Sequence, residues 1–179
     1  ALSSDSHLAS NGVMFYLVGY AITNLVVFAA IISFFNMTGK EMIADLGGLA
    51  DQQPFLAACL GMGLFSLAGL PIFVGFTMKF YLFTAVATEG FLWLAALAVF
   101  ASLISLYYYL QVLRQVYIEP APPGEGGSAM ADEHPALNRI PSLPLLTVLG
   151  TGAAAMIWLG VYPRPLIEVI EVASRALVT

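Results

Sequence analysis

Residues 63–88 read GLFSLAGLPIFVGFTMKFYLFTAVAT. The run is apolar or weakly polar except at Lys79, the only charged residue between Asp51 and Glu89. A lysine at the centre of a membrane helix costs about 2.5–3.5 kcal/mol on insertion scales, so such residues face protein or water and serve a function. Near the middle of the run, Pro71 lacks a backbone donor and clashes with the turn before it, while Gly69 and Gly75 relax the chain on either side. The halves 54–70 and 72–88 would each make roughly 25 Å of helix, short for a crossing, and together they are too long for one straight span. Broken backbone is not tolerated against lipid, so the interruption must be buried in protein or line a hydrated cavity. Residues 54–88 therefore read as one discontinuous transmembrane helix broken near 69–75, with two separate spans as the alternative. Interrupted helices of this kind mark ion pathways in transporters.

The rest of the chain has the composition of a membrane protein. It is 60% hydrophobic and 9% charged over 179 residues, against about 25% charged in soluble domains. No charge falls between His7 and Lys40, between Glu89 and Arg114, or between Arg139 and Arg164. Each gap is the length of a helix crossing a hydrocarbon core. The expected class is all-α, a polytopic transmembrane bundle of about four spans with one helix interrupted. The net charge of −5, without a basic cluster, excludes nucleic acid as a partner and leaves the lipid bilayer. The lone Cys59 has no partner for a disulfide and reads as a packing residue. The opening ALSSDSHLASNG has neither an initiator methionine nor a basic n-region, so a piece of a longer polypeptide is expected rather than a cleaved signal.

Residues 1–12 read as loop and 13–35 as a transmembrane helix with aromatic residues at both ends, where Asn24 is expected to hydrogen-bond a neighbouring helix. Residues 36–53 carry Lys40, Glu41, Asp45 and Asp51 with three glycines and read as an aqueous loop. The third span, 91–117, ends in Tyr107, Tyr108 and Tyr109 followed by Gln111 and Arg114, the pattern of an interfacial anchor. Ser102 and Ser105, with Tyr108, offer a polar path inward along it. Residues 118–143 are rich in proline, glycine and acid and read as a second aqueous loop, in which His134 beside Asp132 and Glu133 lacks the further ligands of a metal site. The fourth span, 144–163, carries Gly150, Gly152 and Ala153–Ala155, which permit close helix contact. Residues 164–179 form an amphipathic helix with Arg164, Glu168, Glu171 and Arg175 on one stripe, expected on the membrane surface or on a neighbouring subunit.

Lys79 is the one group suited to chemistry. An ammonium is destabilised away from water, so a lysine at membrane depth can gain and lose a proton as hydration or a nearby charge changes. Three and four positions away lie Gly75, Phe76, Leu82 and Phe83, so its own helix supplies no counter-charge. Glu89, ten residues on, would serve at best as an exit group. Neither a nucleophilic triad, a metal cage nor a phosphate loop is present in the sequence, which argues against covalent or nucleotide chemistry.

The segments FYLVGYAITNLVVFA, SLAGLPIFVGFTMKFYLF, SLYYYLQV and LGVYPRPL occur here in order. With them the chain resembles the antiporter-like membrane subunits of respiratory complex I, the proton-pumping NADH:quinone oxidoreductase, and among these the N-subunit family with its mitochondrial subunit 2 counterparts. The resemblance covers nearly everything but the loops. It implies the C-terminal portion of a larger antiporter-like bundle in a bacterial inner membrane, with Gly69, Pro71 and Gly75 at the helix break and Lys79 as the proton relay of the second half-channel. It further implies no cofactor in this chain, with NADH, FMN, iron–sulfur clusters and quinone in partner subunits. The partners would be the other membrane subunits of complex I and the N-terminal part of the same subunit, whose glutamate–lysine pair and central lysine are not in this sequence. Two other readings are a subunit of a multi-subunit cation/proton antiporter or membrane hydrogenase, and a structural scaffold without a proton path.

Overall fold

The computed structural model describes residues 2–121 and 142–178, with side chains over 11–121 and 142–173. The helices are α1 (Leu2–Thr38), α2 (Leu49–Gln52), α3 (Pro54–Ala68), α4 (Val74–Thr88), α5 (Leu92–Tyr117), α6 (Leu143–Val161) and α7 (Arg164–Val178), with a 3-10 turn at Ile43–Leu46. Asn11–Thr38, Leu92–Tyr117 and Leu143–Val161 are long and apolar enough to cross a membrane. The chain is a multi-pass helical membrane protein.

Two boundaries differ from expectation. Residues 2–12 continue the first helix rather than forming a loop, because nothing there breaks it; Ser, Asp and His are poor helix formers but are tolerated within a long helix. The interruption spans 69–73, and Gly75 lies within the first turn of α4. The loop 36–53 also holds the 3-10 turn and α2. It is tied to the end of α5, where the Gly48 amide donates to the Glu119 carbonyl (3.0 Å) and Gln115 Nε2 donates to the Ala44 carbonyl (3.0 Å). His134 and its acidic neighbours lie outside the described residues.

Helix α1 is the spine, and small residues set how closely the others approach it. Gly63 of α3 packs on Val27, Gly152 of α6 packs on Val26, and Gly19 of α1 receives Val74 and Met78 of α4. Without a hydrophobic drive between helices in lipid, close contact at such positions is what holds a bundle together. A core of Val26, Val27, Ala30, Leu56, Leu60, Leu149 and Met156 is buried among α1, α3 and α6.

The same contacts fix the relation of α3 to α4. Descending α1 from Val27 through Thr23 and Gly19 to Gly12, the partners are Gly63, then Ser66, then Val74 and Met78, then Tyr81 and Ala85. From Gly12 to Val27 is about 22 Å of helix, and the helical residues of 63–85 alone cover about the same rise. The two halves lie end to end along α1 as one interrupted helix, and residues 69–73 add almost nothing to its length.

One expected placement changes, and another gains a contact within this chain. Asn24 Nδ2 donates to the Tyr20 carbonyl of its own helix (2.8 Å), not to a neighbour; a side-chain amide reaches the carbonyl one turn back. Helix α7 packs one edge on this chain: Ile170 is buried with Phe15 and Met78, and Leu166, Ile167 and Tyr81 lie around them. Val169 and Val172, also apolar, stay exposed.

Candidate functional site

The break ends α3 with a left-handed glycine. Gly69 has φ +87°, its amide donates to the Phe65 and Ser66 carbonyls, and the Leu70 amide donates to the Phe65 carbonyl. This is the Schellman pattern, which satisfies some of the four carbonyls a helix end leaves unpaired. Pro71 follows and prevents the helix from continuing. Ile72 then takes φ +86°, a conformation that a β-branched residue adopts only under constraint. The constraint is visible on α6, where a Cβ on Gly160 would run into the Ile72 carbonyl, and where Thr77 Oγ1 donates to the Gly160 carbonyl (3.0 Å).

Lys79 reaches back to this break. In an α-helix the Cα–Cβ bonds tilt towards the N-terminus, and the N-terminus of α4 is the break itself. Lys79 Nζ donates to the Leu67 carbonyl in the last turn of α3 (2.7 Å) and to Ser102 Oγ on α5 (2.7 Å). Its stem crosses Gly69, where a Cβ would meet Lys79 Cδ at 3.3 Å. Gly69 thus serves both the left-handed turn and the passage of the lysine.

Among the described residues, Lys79 is held by two neutral oxygens and by no carboxylate. The Leu67 carbonyl belongs to the C-terminal end of α3, which carries the negative pole of the helix dipole and favours a cation. An ammonium has three N–H groups, so two bonds leave one donor. Lys79, Gly69, Leu70, Phe80, Ser102 and Leu103 are among the residues lining a cavity of about 350 Å³. Liquid water takes about 30 Å³ per molecule, so the volume has room for several. Here the Leu67 carbonyl and Ser102 Oγ hold the ammonium, and its third N–H is the one that can exchange with water in the cavity.

Of the other residues singled out from sequence, Gly69 and Ser102 converge with Lys79, and Pro71 lies exposed in the break, two residues beyond Gly69. Gly75 lies behind them, against Ser66. Ser105 Oγ donates to the Ala101 carbonyl one turn back (3.1 Å). Tyr108 lines a different cavity, with Tyr109, Gln111 and Glu41. Glu89 caps α4 at its far end and is exposed. Sequence reasoning missed the Leu67 carbonyl, although a proline after a helix announces that the last carbonyls are unpaired. It also missed Ser66, which reads as a weakly polar residue in an apolar run.

Residues 1–105 match the model of a family described as NADH:quinone oxidoreductase/Mrp antiporter, transmembrane. The chain belongs to this family. It is 37% identical over 174 residues to NADH-quinone oxidoreductase subunit N of Desulfitobacterium hafniense, covering 93% of this chain and 31% of that protein. Subunit N of Heliobacterium modesticaldum is 39% identical over 168 residues, covering 93% of this chain and 33% of the relative. Among solved structures, the Mrp complex from Dietzia sp. DQ12-45-1b matches in fold with a TM-score of 0.74, at 24% identity, over 90% of this chain and 36% of that one. The chain thus spans about a third of the length of the curated relatives it matches. The antiporter-like fold anticipated from the GLPIFVGFTMKFY run is the fold of the family.

Proposed function

We propose that this chain is the C-terminal part of a proton-translocating subunit N of NADH:quinone oxidoreductase, and that Lys79 is its proton relay. One observation carries the reading: a single membrane lysine is bonded at a helix break to a carbonyl and a serine, beside a cavity large enough for water. On this reading the chain works as a subunit of an oxidoreductase without a redox centre of its own. NADH, FMN, iron–sulfur clusters and quinone belong to partner subunits, and quinone reduction there drives proton movement here. The other membrane subunits, and the remaining length of the same subunit, supply the counter-charge that Lys79 does not meet among the described residues.

The test uses the full-length subunit assembled in its complex and reconstituted in vesicles. Lys79→Met should assemble yet lower proton translocation and the quinone reductase turnover coupled to it by about a hundredfold or more, the low end of what a proton-transfer group contributes. Unchanged pumping in an assembled Lys79→Met complex would leave the segment as a scaffold. The match to the Mrp complex favours a second reading, a cation/proton antiporter subunit. In that case Lys79→Met would abolish cation-dependent proton exchange in vesicles without any quinone reductase.

A further inference from the structure

Beside the Lys79 contacts, the break holds a second, buried polar group. Thr23 and Ser66 are each almost fully shielded from solvent. Thr23 Oγ1 donates to the Gly19 carbonyl (2.9 Å), Thr23 Oγ1 and Ser66 Oγ are 3.1 Å apart, and the Gly75 amide donates to Ser66 Oγ (3.1 Å). A hydroxyl has one hydrogen. Since that of Thr23 goes to Gly19, the bond between the hydroxyls must use the hydrogen of Ser66. The direction is therefore fixed from end to end: Gly75 N–H to Ser66, Ser66 O–H to Thr23, Thr23 O–H to the Gly19 carbonyl. Each link polarises the next, and each buried donor has an acceptor.

The chain joins three helices at the one place where the backbone is discontinuous. Gly75 lies in the first turn of α4, where amides have no partner within the helix. A side chain at Gly75 would overlap the Ser66 carbonyl, and one at Gly19 would press on Met78 Sδ at 2.9 Å, so both ends of the chain sit at glycines that allow the approach. Ser66 immediately precedes Leu67, whose carbonyl accepts from Lys79.

We infer that Thr23 and Ser66 are positioning residues for Lys79: their directional hydroxyl chain locks the end of α3 against the start of α4, and so fixes the distance from the lysine to its carbonyl. The functional half of this inference rests on the proposed relay role of Lys79. The structural half does not.

The two halves separate in one set of variants of the full-length subunit in its assembled complex: Ser66→Ala, Thr23→Val and Thr23→Ser, beside Lys79→Met. Amide hydrogen exchange over 73–76 reads the lock directly. It should quicken about tenfold in Ser66→Ala, which leaves Gly75 without an acceptor, and less in Thr23→Val, where the Ser66 hydrogen can turn to its own helix. Thr23→Ser keeps the hydroxyl and loses the methyl, so it should exchange like wild type. If Thr23→Ser is instead worse than Thr23→Val, the methyl matters and the chain does not. Unchanged exchange in Ser66→Ala overturns the lock altogether.

The pH profile of proton translocation reads the positioning. It should shift in Ser66→Ala, shift less in Thr23→Val and stay at wild type in Thr23→Ser. If Lys79→Met abolishes pumping while Ser66→Ala leaves the profile in place, the positioning role fails and the relay stands. If Lys79→Met pumps normally, the relay fails and takes the positioning role with it, while the exchange result still decides whether the lock exists.

Discussion

The two sides of the interrupted helix differ in kind. Towards α1 and α6 the contacts are tight: Gly19 and Gly63 take neighbouring side chains at close range, Gly160 lets the Ile72–Phe73 backbone approach, Gly75 brings α4 onto the Ser66 carbonyl, and the buried hydroxyls have partners. Towards α5 the packing opens into a cavity, and the polar atoms are those of a long, adjustable side chain and a serine. Much of α5 is uncovered, including Phe100, Leu103 and Ile104. The proposed relay role of Lys79 needs both conditions at once. The acceptor must be held still, and the donor must have water and room to move, so one helix break meets both needs by presenting a rigid face and a hollow one.

Substitutions on the two faces should therefore fail in different ways. On the tight face, Gly75→Val drives a side chain into the Ser66 carbonyl. It should destabilise the subunit by about 3 kcal/mol, the upper end of ordinary overpacking costs, and reduce the assembled complex recovered from membranes. On the hollow face, Ser102→Ala removes one of two partners of an ammonium, an interaction worth about 1.5–3 kcal/mol. Translocation should fall about tenfold while the amount of assembled complex stays normal. If Ser102→Ala instead lowers assembly as Gly75→Val does, the distinction between the faces is wrong. Smallest of all are Ser105→Ala and Tyr108→Phe, which lie on α5 away from the lysine contacts and should change translocation by no more than about twofold, the range of a surface substitution. A large loss in either would extend the path along α5 beyond Ser102.

The sequence made much of this legible. Charge gaps announced the spans, and Leu70-Pro71 between two short apolar runs announced the break, because proline and helix length obey local rules. Lys79 stood out because charge in lipid is costly wherever it occurs. Its partners were not legible in the same way. Leu67 contributes a backbone carbonyl, which any residue would supply, and Ser102 is one of two serines a single turn apart on α5, told apart only by how α5 rotates against α4. Asn24 shows the converse, a residue conspicuous in sequence that, among the described residues, bonds to its own helix. The docking of α7 on Phe15 and Met78 was hidden because an amphipathic stripe states that a helix needs an apolar surface without saying which one.

The five residues 69–73 add almost no length between α3 and α4, and they therefore amount to slack in a helix that is otherwise taut. Drawn into regular helix they would extend it by about 7 Å, more than one full turn. Helix α5, joined to α4 by the short link at Glu89, Gly90 and Phe91, would be carried along with it. Pro71 and the grip of α6 on Ile72 keep that slack from running out, so the level of the lysine against the end of α3 is set by a length of chain that the fold never lets straighten.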